Sequence, residues 1–183
     1  MDPNFKAFTD YLVELGTDHV PHSDTPFLSH LIGVCRDLER WGCEQSVCRA
    51  GLFHSIYGTQ QFQRFCLPLE RRTEVQELIG ERAEYLAYLN CAMYRPSFDG
   101  ILEHDGPLNM VDRLTSQEIE LSEETFTDLC TLHLCDWLEQ VPRTKQWDFR
   151  RIAYRRMAER LGGVAKKAYD DVFLKEERGS KSG

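Results

Sequence analysis

The segment Ala50-Gly51-Leu52-Phe53-His54-Ser55-Ile56-Tyr57-Gly58-Thr59 is the part of the sequence from which the fold can be inferred. Its first two residues are small and allow a neighbouring helix to approach closely. His54 ends an inward-facing row of apolar and small residues on a helix predicted over residues 45–57. A second histidine, His30, lies on the preceding predicted helix. Because histidines on neighbouring helices can bind one metal ion, we expect these helices to pack around His30 and His54.

Apolar residues recur at helical spacing along most of the chain, and glycines and prolines separate the helical segments. The predicted helices span residues 4–15, 26–41, 45–57, 70–79, 81–94, 123–140, 146–161 and 164–175. Residues 97–121 contain Gly100 and Pro107 and are expected to be irregular, with at most a short β-hairpin. A chain of 183 residues can bury one substantial core. We therefore expect an all-α, single-domain bundle of seven to eight helices over residues 1–175, followed by a polar, disordered tail over residues 176–183.

The composition argues against several classes of protein. The chain has 22 lysine and arginine residues against 30 aspartate and glutamate residues, and no basic run is interleaved with aromatics, so nucleic-acid binding is not expected. No apolar stretch approaches the roughly 18 residues of a membrane span, and the first residues lack a secretory signal, so no membrane association is expected. The seven cysteines form no C-x-x-C pair, and most lie in apolar helical patterns. These features predict a cytoplasmic protein with reduced thiols.

His30, His54 and Asp136 are the best candidates for a shared set of metal ligands. They lie on three different predicted helices. Neutral imidazole and carboxylate suit a divalent transition metal such as manganese, iron or zinc, and three protein ligands leave positions open for substrate and water. The residues alone leave an alternative open. The two histidines could be core residues satisfied by backbone carbonyls, with Asp136 paired to an arginine.

The order of His30, His54 and Asp136 resembles the H…HD…D arrangement of the HD-domain superfamily, and the match spans residues 25–140. Proteins of that superfamily are helical and hold one or two divalent metals in the core of a bundle. Many are phosphohydrolases, and a smaller branch are di-iron oxygenases. The segment from His54 through residues 71–80 is similar to the corresponding part of the stringent-response guanosine tetraphosphate hydrolases. The phrase AGLFHSIYGT is similar to that of an uncharacterised HD-like family.

The chain departs from the superfamily pattern at Ser55, which follows the second histidine where the pattern has aspartate. Serine is a weaker ligand for a divalent cation than a carboxylate, because it brings no charge. A replacement ligand is therefore expected from His22, close to the helix of His30, or from His104 in the irregular stretch. His133 is a further candidate because it lies three residues before Asp136 on one helix, although a structural role in the core is the alternative.

Three residues that follow His54 in the sequence are candidates for substrate contact. Arg71 and Arg72 could bind a phosphate group through their guanidinium groups. Tyr57 follows His54 by three residues and could donate a hydrogen bond to a ligand. The alternatives are that the arginines pair with carboxylates on a solvated helix face and that Tyr57 belongs to the edge of the core.

Three functional hypotheses follow. The preferred one, implied by the resemblance, is a metal-dependent hydrolase of a phosphate ester or nucleotide-like small molecule, in which a metal-activated water attacks phosphorus. The second is a non-heme iron or di-iron oxygenase of a small organic substrate, which requires His104 and His133 to converge on the site. The third is a catalytically inactive module that keeps the bundle and binds a ligand or partner, and Ser55 favours it.

Overall fold

Most of the chain is helical in the computed structural model, which describes residues 2–22, 24–104 and 106–180, with side chains as far as residue 176. The helices of this part of the chain are α1 (Phe5–Glu14), α2 (Phe27–Trp41), α3 (Gln45–Phe53), α4 (Arg72–Ile79), α5 (Glu81–Ala92), α6 (Arg95–Ile101), α7 (Glu123–Thr144), α8 (Arg151–Leu161) and α9 (Gly163–Ser180). Short 3₁₀ turns occupy Thr17–His19 and Leu69–Arg71. The prediction of an all-α fold is confirmed. Of the helices described, none is long and apolar enough to cross a membrane.

Two small antiparallel hairpins accompany the helices. Strand β1 (Pro21–His22) pairs with β2 (Thr25–Pro26) before α2, and β3 (Asn109–Asp112) pairs with β4 (Gln117–Glu120) before α7. The second hairpin confirms the one expected in the irregular region. The first was not predicted, because strands of two residues carry no alternation of apolar and polar side chains. It places His22 next to the start of α2.

The core that holds the candidate site lies between α2, α3, α5 and α7. Helix α2 packs on α3 and α7, and both of these helices also pack on α5. Gly51 permits the approach of α3 to α2, because a Cβ atom at this position would overlap the side chain of Leu38 on α2. The close approach expected from the small residues is therefore confirmed, and it brings the inner faces of α2, α3 and α7 together.

Two helices differ from the prediction because of prolines. Arg95–Ile101 forms α6, which overlaps the start of the stretch expected to be irregular from residue 97. Pro96 lies in its first turn, where the missing N–H and fixed φ of proline are tolerated. Helix α7 continues through Pro142 to Thr144, past its predicted end at 140. A proline this near the end of a helix removes one hydrogen bond without breaking the preceding turns.

Helix α3 ends at Phe53, four residues before its predicted end at 57. The amides of Ile56 and Gly58 donate to carbonyls only three residues back, so the chain tightens into turns after the helix. His54 is thus the first residue beyond α3, with its ring still directed into the core.

The last two helices also have different boundaries. Helix α8 begins at Arg151 instead of 146, because Arg150 has a left-handed backbone with φ of 47°. Helix α9 continues to Ser180. The part of the expected disordered tail up to this residue is therefore helical, and residues 181–183 lie outside the described residues.

Candidate metal centre

His30 on α2, His54 after α3 and Asp136 on α7 meet in the core. The Nε2 atoms of the two histidines are 3.2 Å apart. Oδ1 of Asp136 lies 3.1 Å from Nε2 of His30 and 3.3 Å from Nε2 of His54. Both histidine side chains are fully buried, and that of Asp136 is 8% exposed. The structure therefore brings together the three residues that the sequence singled out as a set.

The distances between these ligand atoms suit one metal ion. Atoms that each bind a transition metal at about 2 Å lie roughly 3 Å from one another. The three atoms of His30, His54 and Asp136 form a triangle of this size, with edges of 3.1 to 3.3 Å. The buried group can therefore hold a metal ion.

Glu139, which was not predicted, holds the far side of the His30 ring. Nδ1 of His30 donates to Oε2 of Glu139 at 2.5 Å, and Nη2 of Arg143 donates to the same oxygen at 2.7 Å. Burial alone would raise the pKa of Glu139, but these two hydrogen bonds lower it below its ordinary value. Glu139 is therefore an anion that keeps Nδ1–H of His30 in place and leaves Nε2 facing Asp136 and His54.

Gly33 makes room for Glu139. Gly33 follows His30 by almost one turn of α2, and a Cβ atom there would lie 2.9 Å from Oε1 of Glu139 and 3.2 Å from its Cδ and Cγ atoms. Any larger residue would push the carboxylate away from its present position. Gly33 thus leaves the space that the Glu139 carboxylate occupies beside His30.

His54 is fixed both through its ring and through its backbone. Its Nδ1 donates to the carbonyl oxygen of Gly51 at 2.8 Å, which leaves Nε2 for the metal group. Its own carbonyl oxygen accepts from Nδ2 of Asn90 at 2.9 Å and from Sγ of Cys91 at 3.1 Å. Helix α5 therefore holds His54 in place although this residue lies beyond the end of α3.

The charges within the group shift the pKa values of its members. Burial alone would raise the pKa of Asp136, but His54 and His30 lower it well below its ordinary value. Burial alone would lower the pKa of His30, but hydrogen bonds to Asp136 and Glu139 raise it to about 9. Gln140 also donates to Oδ1 of Asp136 at 2.9 Å. In the metal-free protein at neutral pH, Asp136 is thus ionised and His30 is protonated, so a metal ion must displace a proton.

A cavity of about 230 Å³ opens beside Asp136. Polar side chains dominate its wall, which is formed by Pro21, His22, Ser55, Thr59, Gln61, Phe62, Arg64, Arg95, Asp136 and Gln140. Asp136 belongs both to this wall and to the candidate metal group. A small molecule in the cavity would therefore meet the group at the Asp136 carboxylate.

His22 lies beside the metal group and is not one of its three members. Its ring stacks on that of His30, with centroids 4.2 Å apart. Burial, followed by the charge of His30, lowers the pKa of His22 to about 4, so the ring is neutral at physiological pH. Its Nδ1 atom is buried and has no hydrogen-bond partner among the described residues. The expected direct ligand is thus a neighbour of the site.

His133 and His104, the other predicted ligands, are not members of the three-residue group. Nδ1 of His133 donates to Oδ1 of Asn90 at 3.0 Å, and its Nε2 accepts from Nη1 of Arg150 at 2.6 Å. Burial and the charge of Arg150 hold the pKa of His133 well below its ordinary value. His133 is therefore a core histidine with both nitrogens engaged. His104 is exposed in the loop after α6 and does not belong to the metal group.

Tyr57 and Arg72, both predicted to contact substrate, bind a buried carboxylate instead. Tyr57 donates to Oε1 of Glu84 at 2.9 Å, and Arg72 donates to both Glu84 oxygens at 2.7 and 2.9 Å. Gln76 adds a hydrogen bond of 2.9 Å. Because Glu84 is fully buried, these donors are what makes its burial tolerable. The four side chains form a structural brace between α4 and α5, and neither Tyr57 nor Arg72 belongs to the candidate metal group.

Arg71 is also engaged away from the metal group. Its guanidinium donates to both oxygens of Glu74, at 2.7 and 2.6 Å, and to the hydroxyl of Tyr11 at 3.3 Å. The side chain is 39% exposed. The alternative interpretation, an arginine paired on a solvated helix face, describes Arg71 correctly.

Glu139, Gln140 and Arg95 are side chains of the site that were not predicted. The first two lie three and four residues after Asp136, which puts them on the same face of α7. That spacing was a usable signal in the sequence. Arg95 carried no comparable signal, because it lies between the helix predicted to end at residue 94 and the stretch expected to be irregular from residue 97.

Comparison with known proteins adds one similarity. No curated protein sequence and no solved structure matches the chain. Residues 11–95 match the model of a family described as a domain of unknown function, DUF6817. The matched range contains His30 and His54 and ends before α7, the helix that carries Asp136.

Proposed function

We propose that the protein is a metal-dependent hydrolase of a phosphate ester carried by a small molecule. The observation that carries this proposal is the convergence of one nitrogen each of His30 and His54 and one oxygen of Asp136 on a single point. Two imidazoles and one carboxylate are a donor set that manganese, iron and zinc accept. Because the protein supplies three ligands, positions stay open for water and substrate.

The residues around the group support hydrolysis of a phosphate ester. A divalent metal held there would supply a Lewis acid for a phosphoryl oxygen and lower the pKa of a water molecule. Glu139 and the carbonyl of Gly51 orient the two imidazole rings, so Nε2 of each ring faces Asp136. Arg95 brings a positive charge to the same cavity, where an anionic ester would lie.

The order of the three residues also supports a relationship to the HD-domain superfamily. Ser55 is buried and lines the same cavity as Asp136. This position is consistent with an alignment in which Ser55 takes the place of the aspartate that follows the second histidine in that superfamily. Ser55 is thus placed where a substrate in the cavity would lie close to it.

The two alternatives are supported less well. A di-iron oxygenase needs more ligands than three, and His133 is bonded to Asn90 and Arg150 while His104 is exposed. A mononuclear iron oxygenase accepts two histidines and one carboxylate, but the positive charge of Arg95 in the cavity favours an anionic ester over a neutral organic substrate. An inactive binding module remains the alternative that Ser55 favours, and it predicts binding without turnover.

The thiols support the proposal of a cytoplasmic location. All seven cysteines are free, and most of them are buried. Free thiols in this number are typical of a reducing compartment.

Hydrolysis of p-nitrophenyl phosphate by the metal-loaded protein tests the proposed function. We expect turnover with manganese, iron or zinc and its loss after chelation or in His54→Ala. The matched control is His104→Ala, which removes an exposed histidine and should keep wild-type turnover. A metal-loaded wild type that hydrolyses neither this ester nor a panel of small-molecule phosphates would favour the binding module.

A further inference from the structure

Arg95 lines the cavity beside Asp136, and its guanidinium is not satisfied by the protein. Its Nη1 atom is buried and has no hydrogen-bond partner within the described part of the chain. Asp136 and Asp99 act on Arg95 through space, without a hydrogen bond to its side chain. The ring of Phe149 lies 5.7 Å from Cζ, so one contact of the guanidinium is apolar. A buried Nη1 without an acceptor is costly even on a partly buried arginine, and a ligand with acceptor oxygens would relieve that cost.

We propose that Arg95 binds the phosphoryl group of the substrate and selects a dianion, as found in a phosphomonoester. This inference rests on the proposed function and names its substrate class. A divalent metal, Arg95 and Arg64 bring four positive charges to the cavity, whereas Asp136 brings one negative charge and Glu139 is paired with Arg143. The resulting surplus of positive charge favours the two negative charges of a phosphomonoester over the single negative charge of a phosphodiester.

The shape of the cavity indicates where the organic part of the ester lies. Pro21, His22 and Arg64 line both this cavity and an adjoining outer groove of about 540 Å³. A phosphoryl group can thus sit at the metal group while the rest of the molecule occupies the groove. Asp18 and Asp24 also line the groove, so a second phosphate group there would meet like charges. The substrate is therefore assigned as the monophosphate of a small organic molecule.

Calorimetric titration of the full chain loaded with Mn²⁺ tests the role of Arg95. Phenylphosphonate is the dianionic probe, and its monomethyl ester is a monoanion with the same ring. We expect the wild type to prefer the dianion, and Arg95→Gln to bind phenylphosphonate roughly tenfold to a hundredfold more weakly. Binding of the monoanion should fall less. The matched control is Arg155→Gln, which removes a guanidinium that is 59% exposed on α8 and should leave both affinities unchanged.

Equal binding of phenylphosphonate by the wild type and Arg95→Gln would overturn the proposal, as would a wild type without preference for the dianion. If Arg95→Gln does not fold, Arg95→Lys replaces it. Lysine cannot make a bidentate contact, so unchanged affinity in that variant also overturns the assignment. The same titration on metal-free protein tests the binding role of Arg95 independently of the proposed metal-dependent hydrolysis. A weaker binding in metal-free Arg95→Gln than in metal-free wild type supports Arg95 even where turnover is absent.

Discussion

Oε2 of Glu139 lies 2.5 Å from Nδ1 of His30, while Nε2 of the same ring faces Asp136 and His54. The imidazole is therefore held between a carboxylate that orients it and a group that can bind metal. A histidine held in this way keeps its orientation and its tautomer before a metal arrives. The contact links two helices, because His30 belongs to α2 and Glu139 to α7.

Replacing Glu139 by glutamine should weaken metal binding roughly tenfold to a hundredfold, the usual effect of losing such an outer partner. Glutamine keeps the size of the side chain but removes the charge that holds Nδ1–H of His30. Competition with a chromophoric zinc chelator measures the change. The control is Glu159→Gln on α8, where the side chain is 54% exposed. Equal affinities in wild type and Glu139→Gln would show that Glu139 does not act on the metal group.

Replacing Gly33 by alanine should also weaken metal binding, because the new side chain would displace Glu139 without changing its charge. The added Cβ would lie 2.9 Å from Oε1 of Glu139, so the carboxylate must move away from His30. Gly100→Ala is the control, because a Cβ there meets no atom within 4 Å. The same chelator competition checks both variants. Wild-type affinity in Gly33→Ala would mean that Glu139 can move without disturbing the group.

Metal affinity should rise with pH. Hydrogen bonds to Asp136 and Glu139 outweigh burial and raise the pKa of His30 to about 9. Below that pH a metal must displace the proton from Nε2, so affinity should increase by about tenfold per pH unit and level off above the pKa. Chelator competition from neutral to alkaline pH measures the slope. A flat profile below about pH 9 would contradict the protonation assigned to His30.

Tyr57→Phe should lower stability and leave metal affinity unchanged. The substitution removes a hydrogen bond of 2.9 Å to the buried carboxylate of Glu84, and the expected loss in free energy of unfolding is about 1 kcal/mol. Arg72 and Gln76 still donate to that carboxylate, which limits the loss. Urea unfolding and chelator competition test the two halves of this prediction. Weaker metal binding at unchanged stability would contradict this prediction and indicate that Tyr57 acts on the metal group.

The candidate metal group could be predicted from sequence because helical periodicity places its members on inner faces. His54 ends a row of apolar and small residues, and His30 lies beside the apolar stripe of its own helix. Helices that bury these faces must bring the two rings together. The same periodicity also predicts that Glu139 lies near the group, because Glu139 and Asp136 are three residues apart on one helix.

The positions of Tyr57, Arg72 and Arg95 could not be predicted from helical periodicity. Tyr57 and Arg72 follow His54 in the sequence, but the chain turns sharply after α3, and both side chains reach Glu84 on α5. The spacing of residues along the chain does not predict the direction in which the chain turns after α3. Arg95 could not be assigned from the sequence, because Pro96 is compatible both with the end of one helix and with the first turn of the next.

The central claim is that His30, His54 and Asp136 bind one divalent metal, and elemental analysis of protein purified without a nickel column tests it most directly. We predict about one manganese, iron or zinc ion per chain in the wild type and in the control His104→Ala, and almost none in folded His54→Ala. Equal and negligible metal in all three proteins, also after incubation with each metal and removal of the excess, would contradict it.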